Sequence, residues 1–153
     1  MATLSKKSVA TKTKSAVERR FFQWTDAMSV GIRKIDVHHR TMLSFINDAY
    51  RAARNPRSAG AMKQVLVNLA DYAKVHCSYE ERLLEEYGYP LTQDHANEHR
   101  DFEQEIQKLS YEFKTNRKKA SVEICVFLKN WLINHMLKSD KACLAFAVQK
   151  GAR

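Results

Sequence analysis

Apolar residues recur along most of this chain at steps of three and four, the period at which side chains return to one face of an α-helix. Four stretches show it. The first carries His39, Leu43, Ile46 and Tyr50, with Asp36 placed to cap it and Pro56 to close it. The second runs from about Ser58 to Tyr87, with Met62, Leu66, Leu69, Ala73, His76, Glu80 and Leu84 in phase. Gly88 suits the position just past its end, and Pro90 prevents continuation. The third starts at a Thr92 cap and carries His95, His99, Phe102, Ile106, Leu109 and Phe113. The polar run 114–119 breaks the period. A fourth helix then begins near Ser121 and holds Val122, Cys125, Leu128, Leu132 and His135. Residues 21–37 have apolar anchors (Trp24, Met28, Val30, Ile32) without a sustained period and predict an ordered strap. After Lys141 the apolar run CLAFAV predicts a last turn or two.

Four amphipathic helices with short connections predict an all-α fold, an antiparallel up-down-up-down four-helix bundle with an N-terminal strap, over residues 21–153. Only four glycines and two prolines occur, which disfavours a many-stranded sheet. Hydrophobic content of 44% and charged content of 28% suit one ordinary soluble domain. The apolar runs fall far short of the roughly 20 residues that cross a bilayer, so a cytoplasmic protein is expected. Cys77, Cys125 and Cys143 are odd in number and widely spaced, which argues against a disulfide framework.

Charge changes the picture at one end. The net charge is +9, and residues 1–20 hold Lys6, Lys7, Lys12, Lys14, Arg19 and Arg20 against Glu18 alone, 6 − 1 = +5. Such a segment is expected to be a disordered basic arm, an electrostatic handle for an acidic protein or a membrane surface. No aromatic residue interleaves its cations, so base stacking and sequence-specific nucleic-acid binding have no support.

The chemistry lies on the helical stripes. Five of the six histidines, His39, His76, His95, His99 and His135, fall in phase with the apolar residues, together with Glu80 and Asp140. The pairs His76/Glu80 and His95/His99 are spaced i,i+4 and share a helix face. His135/Asp140 is spaced i,i+5 and runs past the expected end of its helix. In an alternating bundle all seven reach the same end. A polar residue on a buried face is costly unless it is paired or metal-bound. Five imidazoles and two carboxylates exceed the four ligands of a structural zinc and suit two metals bridged by the carboxylates, with three nitrogens on one and two on the other. That division leaves an open position. The donor set suits iron, manganese or zinc. A site so rich in neutral imidazole fits reversible binding of a diatomic molecule better than oxygen activation.

The strap WTDAMSVGIRKID, the start of the first helix in IDVHH, then HCSYEE, HANEH and WLINHMLKSD together resemble the hemerythrin family over residues 22–140. The resemblance implies a bundle around two iron ions, with an oxo or hydroxo bridge. His95, His99 and His135 would hold one iron, His39 and His76 the other, and Glu80 and Asp140 would bridge them. Dioxygen would bind reversibly at the iron held by His39 and His76, in a pocket lined by Trp131, Leu132, Cys77 and Met136. Three positions depart from the family pattern. His38 replaces a usual Gln and points about 100° from His39, away from the ligands. Cys77 replaces an aromatic residue, and Met136 an aliphatic one.

The expected function is therefore oxygen carriage, storage or delivery by a monomeric protein that is not an enzyme. The alternatives are an oxygen or redox sensor, or a di-iron redox enzyme handling peroxide or nitric oxide.

Overall fold

The computed structural model describes residues 21–55 and 59–153, so the basic arm lies outside the described residues. Helices α1 (Arg33–Arg54), α2 (Ala59–Glu86), α3 (Thr92–Thr115) and α4 (Arg117–Asn134) each pack on the next, and α4 packs back on α1. This closed order is an up-down-up-down four-helix bundle. No strand occurs among the described residues. None of their helices is long and apolar enough to cross a membrane.

Several helix ends depart from expectation. Asp36 is not the cap of α1, which begins at Arg33. From the first turn its carboxylate reaches back to the Val30 N–H (2.9 Å) and the Ser29 hydroxyl (2.6 Å), which fastens the strap. Thr92 does not cap α3; its hydroxyl donates to the Tyr89 carbonyl. The fourth helix starts earlier than Ser121, because Asn116 accepts from the Lys119 N–H and the polar residues of that turn face solvent. Gly88 behaves as expected, at φ 69°. Tyr89 donates to the Leu84 carbonyl and Gly88 to the Glu85 carbonyl, the paired bonds that end a helix in a left-handed residue.

The last helix does not end near His135. It continues through a π-helical stretch, His135–Asp140, into α5 (Lys141–Gln149). In a regular α-helix residues five apart lie about 140° apart around the axis. The wider π turn, with i→i+5 hydrogen bonds, returns residue i+5 to the same side. His135 and Asp140 are brought to one face by that means and not by a fold-back of the chain.

The core has two apolar parts. One, built on Met42, Ile46, Leu69, Phe102, Ile106 and Leu128, fills most of the bundle. The other joins Val30 and Ile32 of the strap to Ile35, Leu84, Leu144 and Ala147. The strap also runs beside α1, where Phe22 and Asn47 exchange hydrogen bonds of 2.8 and 2.9 Å. The sequence-predicted final turns are thus a lid, and the polar layer lies beneath it.

Candidate metal centre

Each helix places its polar residue between the two apolar clusters. On α1, His39 falls between Ile35 above and Met42 below; on α2, His76 and Glu80 fall between Ala73 and Leu84. Phe102 underlies His99, while Met136 and Cys143 flank Asp140. All seven predicted side chains are buried, with Glu80, Asp140 and His39 at 0% exposure.

The seven converge as two overlapping groups. Donor atoms of His95, His99, His135, Glu80 and Asp140 lie within 4.8 Å of one another, as do those of His39, His76, Glu80 and Asp140. The carboxylates belong to both. Asp140 divides its oxygens, Oδ2 lying 3.0 Å from His39 Nε2 and Oδ1 3.0 Å from His135 Nε2. Glu80 Oε2 lies 3.2 Å from His95 Nε2, 3.5 Å from His99 Nε2 and 3.7 Å from His76 Nε2, and Oε1 lies 3.9 Å from His39 Nε2. Donors that share one metal at about 2.1 Å stand roughly 3.0–3.4 Å apart, and most of these separations fall near that range. His38 belongs to neither group. Its buried ring packs edge-on against Tyr72, His76 and Tyr79.

The arrangement leaves polar atoms without hydrogen bonds. Eight such buried atoms occur among the described residues, and six belong to this layer: both nitrogens of His39, Nδ1 of His76, Oε1 of Glu80 and both oxygens of Asp140. Each would cost about 1–3 kcal/mol if left so. Cations among the inward-facing atoms would satisfy most of them, so the residues present fit a metal pair.

Electrostatics in the layer follow from crowding. Burial and the Asp140 charge push Glu80 up, but His76 and the hydrogen bonds of His95 and His99 hold it well below the usual carboxylate range. Burial likewise opposes ionisation of Asp140, and the adjoining His135 imidazole prevails over it, with His39 adding to the effect. Burial lowers His76 to about 4 against the pull of Glu80. At His99 burial is outweighed by Cys77 and Glu80, which raise it to about 11. His135 is also raised, by Asp140, against its burial.

Of the side chains expected around oxygen, Leu132 and Met136 are buried in the main cluster. Cys77 is buried, and burial pushes its thiol up against the opposing effect of His99. Trp131 stacks on His135 (4.3 Å between centroids, 18°) and on Phe102 (4.2 Å). It also lines a surface groove of about 460 Å³ with Glu98 and Lys138.

Two hydrogen-bond partners of this layer escaped the sequence reading. Glu81 Oε1 lies 2.8 Å from His99 Nδ1, and Glu98 Oε2 lies 2.8 Å from His135 Nδ1. Each directly adjoins a residue of the layer in sequence, Glu80 and His99 respectively, and the rotation of about 100° per residue aims it at a neighbouring helix. Only the pairing of helices reveals the contact.

The model of the hemerythrin HHE cation binding domain family matches residues 30–147, a span that holds all seven converging side chains. A bacteriohemerythrin of Stenotrophomonas maltophilia is 31% identical over 119 residues, 78% of this chain and 76% of that protein. A bacteriohemerythrin of Clostridium acetobutylicum is 29% identical over 124 residues, 78% of this chain and 96% of that protein. A wild-type hemerythrin crystal structure superposes with a TM-score of 0.70 at 24% identity, covering 82% of this chain and 98% of that one, a likeness of fold. With a family model spanning most of the sequence and a matching bundle around the histidine and carboxylate layer, the chain belongs to the hemerythrin family.

Proposed function

We propose that this chain binds dioxygen reversibly at two iron ions, His95, His99 and His135 holding one, His39 and His76 the other, with Glu80 and Asp140 shared. The observation that carries the reading is the buried layer of five imidazoles and two carboxylates, split three and two, with both carboxylates common to the two groups. When bound, such an iron pair supplies two electrons that can be lent and recovered, and an open position on the iron with fewer protein ligands.

The chain's own residues set the conditions. Five neutral nitrogens against two carboxylates limit the anionic charge that would favour high oxidation states. Leu132 and Met136 below, with Leu84 and Leu144 above, enclose the layer in apolar surface and keep water from it. Glu81 and Glu98 bond the outer nitrogens of His99 and His135, which orients the rings and leaves the inward face to the ligands. That disposition favours binding over catalysis, and carriage, storage or delivery over sensing.

The test is the visible spectrum of the iron-loaded protein, reduced without air, exposed to oxygen and then purged. A band that appears with oxygen and disappears on purging supports the proposal. Direct passage to a stable oxidised form would overturn reversible binding, through a pocket that is leaky at Cys77 or because the protein is a redox enzyme, and fewer than two irons per chain would overturn the ligand set.

A further inference from the structure

The end of the bundle opposite the ligand layer carries two adjoining grooves of about 590 and 520 Å³, both lined by Ala59, Phe113 and Arg117. Val67 belongs to the first and Val122 to the second, 47% and 60% exposed, so each groove opens beside apolar surface left in water. Lys63, Lys114, Arg117 and Lys118 stand around them, and among the described residues no carboxylate lines either. Arg51, Lys108 and Lys119 pair with Asp48, Glu105 and Glu123, but none of these four cations forms an ion pair among the described residues.

Residues 1–20 carry six basic residues against one acidic, and Phe21, the first described residue, lies at this same end. Phe21 stacks on Tyr50 at 4.1 Å, one turn before α1 finishes at Arg54. Like charge excludes that segment, or this end of a second copy, as occupant of the grooves. A free phosphate or a nucleic acid would match the cations and leave the apolar walls unused. A surface that presents anions above an apolar interior matches both. We propose that this end of the bundle docks on an anionic lipid bilayer, with lipid phosphates at Lys63, Lys114, Arg117 and Lys118 and with Val67 and Val122 at the level where the acyl chains begin. Thirteen helical residues separate His39 from Ala52, so the ligand layer stands about 20 Å from the docked face.

The test is sedimentation of the full-length, iron-loaded chain with vesicles of phosphatidylcholine alone and of phosphatidylcholine mixed with phosphatidylglycerol. Partition onto the anionic vesicles alone, weakened by salt, is expected. Lys63→Gln with Lys114→Gln should lower that partition about 25-fold, about fivefold per charge, with the circular dichroism and melting temperature unchanged. Val67→Ser with Val122→Ser should lower it as well. Arg33→Gln with Arg82→Gln, at the other end, should change it little. Equal partition onto neutral vesicles, or equal losses in both charge pairs, would overturn the proposal. So would a loss seen only when the six cations of residues 1–20 become Gln, or capture by polyglutamate without capture by vesicles, which would indicate an acidic polypeptide.

Discussion

Around His95, His99 and His135 the outer ring nitrogens have partners: Cys143 Sγ at 4.0 Å from His95, and carboxylates at 2.8 Å from each of the other two. Around His39 and His76 the outer nitrogens are buried with no hydrogen bond at all. Identical side chains are thus held in two ways, three by polar anchors and two by packing alone. Outer hydrogen bonds fix the ring and raise its basicity as a ligand. With the proposed metal pair bound, the three-imidazole half would be the firmer support, and the two-imidazole half the one left free to change its ligation.

The largest expected effect removes the common element. Glu80→Ala takes away a carboxylate that belongs to both halves, and metal content should fall from two per chain to one at most. Two metals retained in that variant would show the halves to be independent.

A pH series on the metal-free chain should separate them by sign. His76 is depressed to about 4, so its contribution is complete above the unfolded value of 6.5 and is lost as pH falls towards 4, about 3 kcal/mol in all. His99 is raised to about 11, so its contribution is complete below 6.5 and is lost as pH rises towards 11. Urea unfolding midpoints should therefore pass through a maximum near pH 6–7. A monotonic rise from pH 4 to 9 would contradict the assignment.

Smaller still, Glu98→Gln or Glu81→Gln should weaken metal at the three-imidazole half by about 10–100-fold and leave the other half alone. In the unaltered chain a competing chelator should extract metal in two steps, first from His39 and His76. Simultaneous loss would remove the distinction. Least of all, Trp131→Leu gives up the stack on His135, worth about 0.5–1.5 kcal/mol beyond the area lost, and should lower the melting temperature by a few degrees.

The seven converging side chains were legible in the sequence because burial forces them into phase with the apolar stripes, and phase can be counted. Gly88 was legible because a left-handed residue at a helix end strongly favours glycine. The start of α4 was obscured by a polar first turn, whose cap at Asn116 lies among other polar residues. The lid was hidden for another reason: CLAFAV has an apolar face, but what it covers is set by Val30, Ile32 and Leu84, far away in sequence. Glu81 and Glu98 show the same limit, since nothing local distinguishes a carboxylate that meets an imidazole across two helices from one that meets water.

The π-helical stretch gives the last helix slack in one direction only. It already carries one residue more than a regular turn, so loss of a single residue among 137–139 would let it relax into ordinary α-helix, with the histidine and the aspartate four apart and Leu144 and Ala147 still beneath the strap. One added residue would have nowhere to go, and would turn Asp140 and the whole lid away together. This corner of the molecule should therefore tolerate shortening far better than lengthening.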